Sequence, residues 1–232
     1  MPAENPHQLS PQHCRKIYES VLGVASLAGA RDVEALIGCR SEALTRFANN
    51  CIHQNVAEQG RWVSVRVQLN RKTARATTNR FDEASIQRTV EKAIALANAV
   101  EPDPDLLPMA EPETLTEVSR FHSSTSDTTP ELRAGAVAEA IRLVESAGQT
   151  AAGIYSTEQE VESLFNSRGV AAFHSETMAH FSITAMAGDS SGWAKASSTD
   201  RTQISPLDLA RRAADKARFS RSPRELPPGG TP

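Results

Sequence analysis

Arg61-Trp62-Val63-Ser64-Val65-Arg66-Val67-Gln68-Leu69 alternates strictly, with Val63, Val65, Val67 and Leu69 on one face. A period of two is the mark of a half-buried strand. Asn70-Arg71-Lys72 then reads as a turn, and Thr73-Ala74-Arg75-Ala76-Thr77-Thr78 as a short returning strand. A helix follows, with Asp82 as its N-cap and Ile86, Val90, Ala93, Ile94 and Ala97 on one stripe.

The same order of features returns 118 to 120 residues later. Ser182-Ile183-Thr184-Ala185 stands where Ser64-Val65-Arg66-Val67 stood, and Ala194 to Thr199 where Ala74 to Asn79 stood. Ala210, Ala213, Ala214 and Ala217 repeat the helical stripe. Upstream, Ser10-Pro11 opens a helix closed by Gly29, and Thr129-Pro130 opens one closed by Gly148, an offset of 119 at both ends. The reading is an α+β fold: two helix–antiparallel-meander–helix units in tandem, an internal duplication, with sheets covered by helices.

Outward from that core, residues 1–9 read as a disordered lead, 10–99 as the first unit, 100–128 as a Pro/Ser/Thr-rich connector and 129–220 as the second unit. The Pro- and Gly-rich tail at 221–232 reads as a linker severed before whatever it joins. Short strands are expected at 33–39, 43–47 and 51–57, with turns at Asn49-Asn50 and Gln59-Gly60. Others are expected at 117–121, 151–155, 159–166, 170–175, 179–187 and 193–199. The stripe Leu132, Ala136, Val137, Ala140, Ile141 and Val144 is the expected buried face of the helix after Thr129.

Over 232 residues, 39% are hydrophobic, 23% charged and only 5% aromatic. The core therefore rests on Val, Ile, Leu and Ala, with enough chain to build one. A net charge of −3 with intermixed signs offers no basic stripe, which argues against direct nucleic-acid binding. Cys14, Cys39 and Cys51 follow no metal or redox spacing and read as isolated thiols of a cytoplasmic protein. No apolar run is long enough for a membrane span.

The search for catalytic chemistry is mostly negative. None of His7, His13, His53, His122, His174 and His180 lies in a zinc-gripping helical pair. His174 and Glu176, joined by His180, form the one loose constellation, and sheet-surface residues explain it better. No nucleophile elbow or Gly-rich phosphate loop occurs. No catalytic residue and no metal ligand is assigned. Asn49, Asn50 and His53, beside Asn55, are the candidate substrate-binding residues, polar groups that could grip an extended peptide. Trp62 and Trp193 are both expected at strand starts.

Several of these stretches together resemble the amino-terminal half of the TldD/PmbA family, also called modulator of DNA gyrase. They are Arg46-Phe47-Ala48-Asn49-Asn50-Cys51-Ile52-His53-Gln54, Val63 to Val67, Ala74 to Asn79 and the helix Asp82–Asn98. The connector Glu101-Pro102-Asp103-Pro104 and the run Phe165-Asn166-Ser167-Arg168-Gly169-Val170 complete the set.

The resemblance implies a subunit of a zinc metallopeptidase that degrades unfolded or short peptides, working as a homo- or heterodimer with a TldD/PmbA-like subunit. The family's amino-terminal α+β domain helps to wall a channel. Its zinc is held through an H-E-x-x-x-H helix of a carboxy-terminal domain, and that motif does not occur here. The expected function is accordingly the non-catalytic half of such a subunit, with no cofactor of its own and zinc in the full-length family. The alternative is a stand-alone or partner-subunit interaction module without peptidase activity.

Overall fold

The computed structural model describes residues 9–222 and residue 229. The disordered lead, apart from Leu9, and most of the linker expected at 221–232 therefore lie outside the described residues. The chain runs α1 (Pro11–Leu27), β1 (Asp32–Ala48), β2 (Cys51–Leu69), β3 (Lys72–Thr78), α2 (Glu83–Ala99) and α3 (Ser123–Ser126). It continues with α4 (Pro130–Ser146), β4 (Thr150–Asn166), β5 (Ala171–Ala187), β6 (Ser190–Ser198) and α5 (Pro206–Phe219). The fold is α+β, and the helix–three strands–helix order occurs twice.

Helix starts fall where the capping residues place them. Ser10, Asp82, Thr129 and Ser205 each accept a hydrogen bond from the backbone N–H three residues on. This satisfies a donor that the first helical turn leaves without a partner. Pro follows the cap in α1, α4 and α5, where a missing N–H has no cost.

The strands differ from expectation in length. The pieces at 33–39 and 43–47 are one strand, β1, and those at 51–57 and 61–69 are one strand, β2. The turn expected at Gln59-Gly60 is absent: the backbone runs through it extended. Likewise 151–155 and 159–166 join as β4, and 170–175 and 179–187 as β5. Long neighbouring ladders satisfy backbone groups that an intermediate turn would strand. Asn49 and Asn50, both at positive φ (51° and 57°), make the β1–β2 turn, and Asn70 and Arg71 (52° and 63°) make the β2–β3 turn. Two consecutive left-handed residues give a type I′ hairpin, which suits strand twist. At 117–121 there is only a single bridge, Arg120 with Glu176, in place of a strand. Trp62 and Trp193 sit inside β2 and β6 rather than at their starts.

The sheet order is β3-β2-β1-β4-β5-β6, which reads the same outward from β1 and from β4. β2 pairs antiparallel with β3 from Leu69↔Lys72 to Val63↔Thr78. β5 pairs antiparallel with β6 from Ala187↔Ser190 through Phe181↔Ala196 to Ala179↔Ser198. Val63 and Phe181 are 118 apart, as are Thr78 and Ala196. The ladder therefore sets one offset of 118 for both strands of the hairpin. The offset of 120 read from Ala74 to Asn79 slips the second strand by two residues, which keeps every side chain on its face and so hides in a pattern of alternation.

Two compact units result, and neither is contiguous in the chain. The first takes the described part of Met1–Ser41, with Glu58–Arg120 and Gln159–Glu176. Its core sets Cys14, Ile17, Val21 and Ala25 of α1 and Ile86, Val90, Ala93 and Ala97 of α2 against Val33, Ala35 and Ile37 of β1 and Val63, Val65 and Val67 of β2. Val161 and Phe165 of β4 complete it, and Phe165 stacks on Tyr18 at 5.1 Å between ring centroids. The residues alternate with the apolar set on β2, so the sheet's other face is polar. There Glu34 accepts from Arg66 (2.8 Å) and Arg75 (3.0 Å), and Ser64 bonds Thr77. Gly38 lies under the Trp62 ring, where a Cβ would come within 2.3 Å of it.

The second unit takes Glu42–Ala57, Phe121–Glu158 and the chain from Thr177. Val137, Ala140, Ile141 and Val144 of α4 and Leu209, Ala210, Ala213, Ala214 and Ala217 of α5 bury against Phe181, Ile183 and Ala185 of β5. Phe47 of β1 enters this core and stacks on Phe181 at 6.2 Å. The alanine stripe brings α5 so close to β6 that a Cβ on Gly192 would lie 2.1 Å from the Ala213 carbonyl oxygen. On α4 the expected face holds at Ala136, Val137, Ala140, Ile141 and Val144, and only the first turn departs from it. Arg133 is 1% exposed, whereas Leu132 is 48% exposed.

Candidate functional site

Asn49 and Asn50 occupy one turn but differ in what they do. Asn50 is committed to structure: its Nδ2 donates to the Gln149 carbonyl (3.2 Å) and its Oδ1 accepts from the Ala151 N–H (2.6 Å). Asn49 is exposed at the tip. His53 is exposed on β2, in the stretch Cys51–Ala57 where Cys51, His53, Gln54, Asn55 and Ala57 are all exposed. The face of Cys51, His53, Asn55 and Ala57 is thus open, Ile52 on the other face packs on the second core, and β3 pairs with β2 only from Val63 onward. Thr45 Oγ1 donates to Asn55 Oδ1 (3.0 Å) and Arg46 Nη1 to Gln54 Oε1 (3.2 Å), which tie its side chains back to β1. The arrangement is an edge strand with an outward row of backbone donors and acceptors, which favours pairing with another extended chain.

The histidines of β5 are taken up by protein partners. His174 Nε2 lies 3.6 Å from Glu176 Oε2, and that carboxylate is already held by Arg120 Nε at 2.6 Å. The Arg120 hydrogen bond keeps the Glu176 carboxyl below the usual range. His180 Nδ1 bonds Ser197 Oγ at 2.8 Å, and burial, with Lys195 nearby, lowers its proton affinity. Among the described residues no group of three His, Cys, Asp or Glu is placed to hold a metal. These residues do not fit a zinc centre.

Two features escaped sequence reasoning. Arg133 is buried with no carboxylate in contact among the described residues, Glu131 acting on it from further off; its Nη1 donates to the Thr128 carbonyl (3.1 Å) and reaches Thr157 Oγ1 (3.4 Å), and its Nε has no partner among the described residues. Burial pushes its proton affinity down. An arginine on a helix otherwise rich in Ala and Val reads as a surface residue, so periodicity does not flag it. The second is a cleft of about 490 Å³ in the first unit, lined by Cys39, Arg40, Gln59, Gly60, Arg61, Asn79 and Arg80.

Fold and surface define a duplicated α+β scaffold with an exposed edge strand. Residues 79–218 match the family described as PmbA/TldA metallopeptidase central domain, and residues 34–97 match PmbA/TldA metallopeptidase domain 1. The chain belongs to this family, also written TldD/PmbA, and spans its first and central domains. No curated protein matches the sequence.

Solved structures share the fold at low identity. One from Thermotoga maritima, named as a candidate modulator of a DNA gyrase, superposes with a TM-score of 0.81 at 14% identity, over 93% of this chain and 50% of that one. TldE from Thermococcus kodakarensis gives 0.77 at 15% identity, over 88% and 47%. A candidate modulator of DNA gyrase from Bacteroides thetaiotaomicron gives 0.78 at 11%, over 94% and 52%. The chain thus spans about half the length of the solved structures it matches.

Proposed function

We propose that this chain is the non-catalytic half of a metallopeptidase subunit, contributing to a peptide channel and to assembly with a TldD/PmbA-like partner. Bond breaking, and the family's zinc, fall to a carboxy-terminal domain. The substrate is an unfolded or short peptide in the cytoplasm, and neither nucleic acid nor membrane is a direct partner.

One observation carries this reading: Cys51–Ala57 of β2 is an edge strand beyond the reach of β3, with the face of Cys51, His53, Asn55 and Ala57 exposed. Backbone hydrogen bonds to such an edge are indifferent to side chains, which suits a broad peptide specificity. Asn49 and His53 stand exposed beside it as the polar contacts, with Asn50 fixing the turn that presents them.

Fluorescence anisotropy of labelled extended peptides with the purified chain tests the proposal. Saturable binding that weakens on His53→Ala, or when Val56→Pro removes an edge N–H, is expected. An absence of any binding, with circular dichroism showing a folded chain, would favour the interaction-module reading.

A further inference from the structure

The two hairpins differ at one end, and the difference has a physical cause. β5 and β6 stay paired to Ala179↔Ser198. The ladder offset of 118 makes Arg61 and Arg80 the counterparts of those two residues, yet β2 and β3 stop pairing at Val63↔Thr78. Closing the missing rung would set two arginines directly opposite each other, and like charges in that position are destabilising. The hairpin frays there, and the cleft lined by Gln59, Gly60, Arg61, Asn79 and Arg80 opens at the frayed end.

Both guanidinium groups are held by one edge and open on the other. Arg61 Nε donates to the Asn79 carbonyl (3.1 Å), and its plane lies over the Phe81 ring at 4.9 Å. Arg80 Nε donates to Asp82 Oδ2 (2.9 Å). Their Nη groups have no acceptor among the described residues. Asp82 is also committed to capping α2 through the Ser85 N–H. Cys39 contributes no negative charge, since burial keeps its thiol protonated. Arg40 lines the cleft but already has an interaction within the protein.

The second unit closes the corresponding place with its own chain. There the His122 N–H donates to Thr177 Oγ1 (3.0 Å), and that hydroxyl donates to the Thr199 carbonyl (2.8 Å). Thr177 is the counterpart of Gln59 at the same offset. An extended segment of the connector therefore covers this edge in the second repeat, and among the described residues no segment covers the cleft of the first.

We propose that the frayed end of the first hairpin is a binding site for an extended peptide bearing a carboxylate. The peptide continues the line of β3 along Gln59–Arg61, and its carboxylate bridges the open Nη edges of Arg61 and Arg80. Planar guanidinium forks suit a carboxylate bidentately, and the anion relieves the repulsion that frays the hairpin. The proposal deepens the peptide-binding reading by naming a second contact and the charge it selects.

The test uses the full chain and three labelled peptides of one extended sequence: free carboxy terminus, amidated terminus with one internal Asp, and amidated with no acid. Both acid-bearing peptides, or whichever presents the carboxylate in register, are expected to bind about tenfold or more tighter than the neutral one. Arg61→Gln and Arg80→Gln each remove that preference, and His53→Ala leaves it intact. Thermal melts of the variants check that they fold, since Arg80→Gln also removes the bond to Asp82 and Arg61→Gln the bond to the Asn79 carbonyl.

Equal binding of all three peptides, or an unchanged preference in the Arg61→Gln/Arg80→Gln double variant, overturns this site while general peptide binding stands. Inorganic phosphate abolishing the preference without any backbone shift changes at Gln59–Arg61 on peptide binding also overturns it. Failure of every peptide to bind removes both readings.

Discussion

Phe47 and Phe165 stand at the same place in the two repeats, 118 residues apart, and each ring is buried in the compact unit built mostly from the other repeat. Phe47 stacks on Phe181, and Phe165 on Tyr18. Each repeat lends the tip of its first hairpin and receives the other's. The residues of one repeat therefore do not make a complete core without the other.

Truncating either ring should cost about 3–5 kcal/mol, the usual range for a buried aromatic replaced by alanine. Urea denaturation of Phe47→Ala and Phe165→Ala measures it. The same exchange predicts that residues 1–105 and 106–232, made separately, lack cooperative unfolding and regain it when mixed. Cooperative unfolding of either piece alone would show that the lent hairpin is dispensable.

Much of this architecture was legible because its signals are local. Ser10, Asp82, Thr129 and Ser205 mark helix starts through hydrogen bonds to residues three positions on, and a one-residue reading suffices to see them. The tandem order followed from spacing alone. The lengths of the strands did not, because Gln59-Gly60 has turn-forming chemistry and only a neighbouring ladder overrides it. The exchanged hairpins were invisible for the same reason: nothing near Phe47 in sequence encodes the gap beside Gly153, where a Cβ would lie 2.6 Å from the Phe47 ring. Of the candidate site, the polar cluster was legible, but the split between Asn50 as a tether and Asn49 as an exposed tip was not. The Arg61–Arg80 cleft needed the register.

Arg133 offers a test of what a buried cation contributes. Its Nε lacks a partner among the described residues, and the attraction of Glu131 is outweighed by desolvation, so Arg133→Met should leave stability within about 1 kcal/mol of the parent or raise it. Arg133→Ala should destabilise by about 2–4 kcal/mol, because it leaves a cavity as well. Comparing urea midpoints for the two separates packing from charge.

Glycine at 38 and 192 is demanded by close approach. A Cβ at Gly38 meets the Trp62 ring at 2.3 Å, and one at Gly192 meets backbone of α5. The ring can rotate away, leaving the Val161 carbonyl oxygen at 2.9 Å to give, whereas at Gly192 backbone atoms of α5 at 2.1 and 2.6 Å have to shift with the helix. Gly38→Ala should therefore alter the Trp62 fluorescence at a modest cost, and Gly192→Ala should cost more, about 1–3 kcal/mol. Emission spectra and thermal melts of the pair check the order.

Asp82 and Asp200 both titrate at about 2, Asp82 chiefly through its hydrogen bond from Arg80 and Asp200 chiefly through that from Ser124. A carboxyl whose folded value lies below its unfolded value of 3.8 stabilises the fold above that value and loses the contribution as pH falls toward 2. The melting temperature should accordingly drop between about pH 4 and pH 2. Asp82→Asn and Asp200→Asn should each lower it at pH 7 and flatten that drop, and a melting series across the range reads both effects.

The Asn49-Asn50 turn separates backbone fit from side-chain tethering. Both residues are held at positive φ, where glycine is unstrained, so Asn49→Gly should be neutral or stabilise by up to about 1 kcal/mol. Asn50→Gly relieves the same strain but removes the bonds to the Gln149 carbonyl and the Ala151 N–H. The bound N–H of Ala151, a residue with no exposed surface, is then left to its neighbours, at a net cost of about 1–2 kcal/mol. Opposite signs for these two neighbouring substitutions, measured by urea unfolding, would establish Asn50 as the residue that docks the hairpin. They would also leave Asn49 available at the tip, so that Asn49→Ala can be read for peptide affinity without a change in fold.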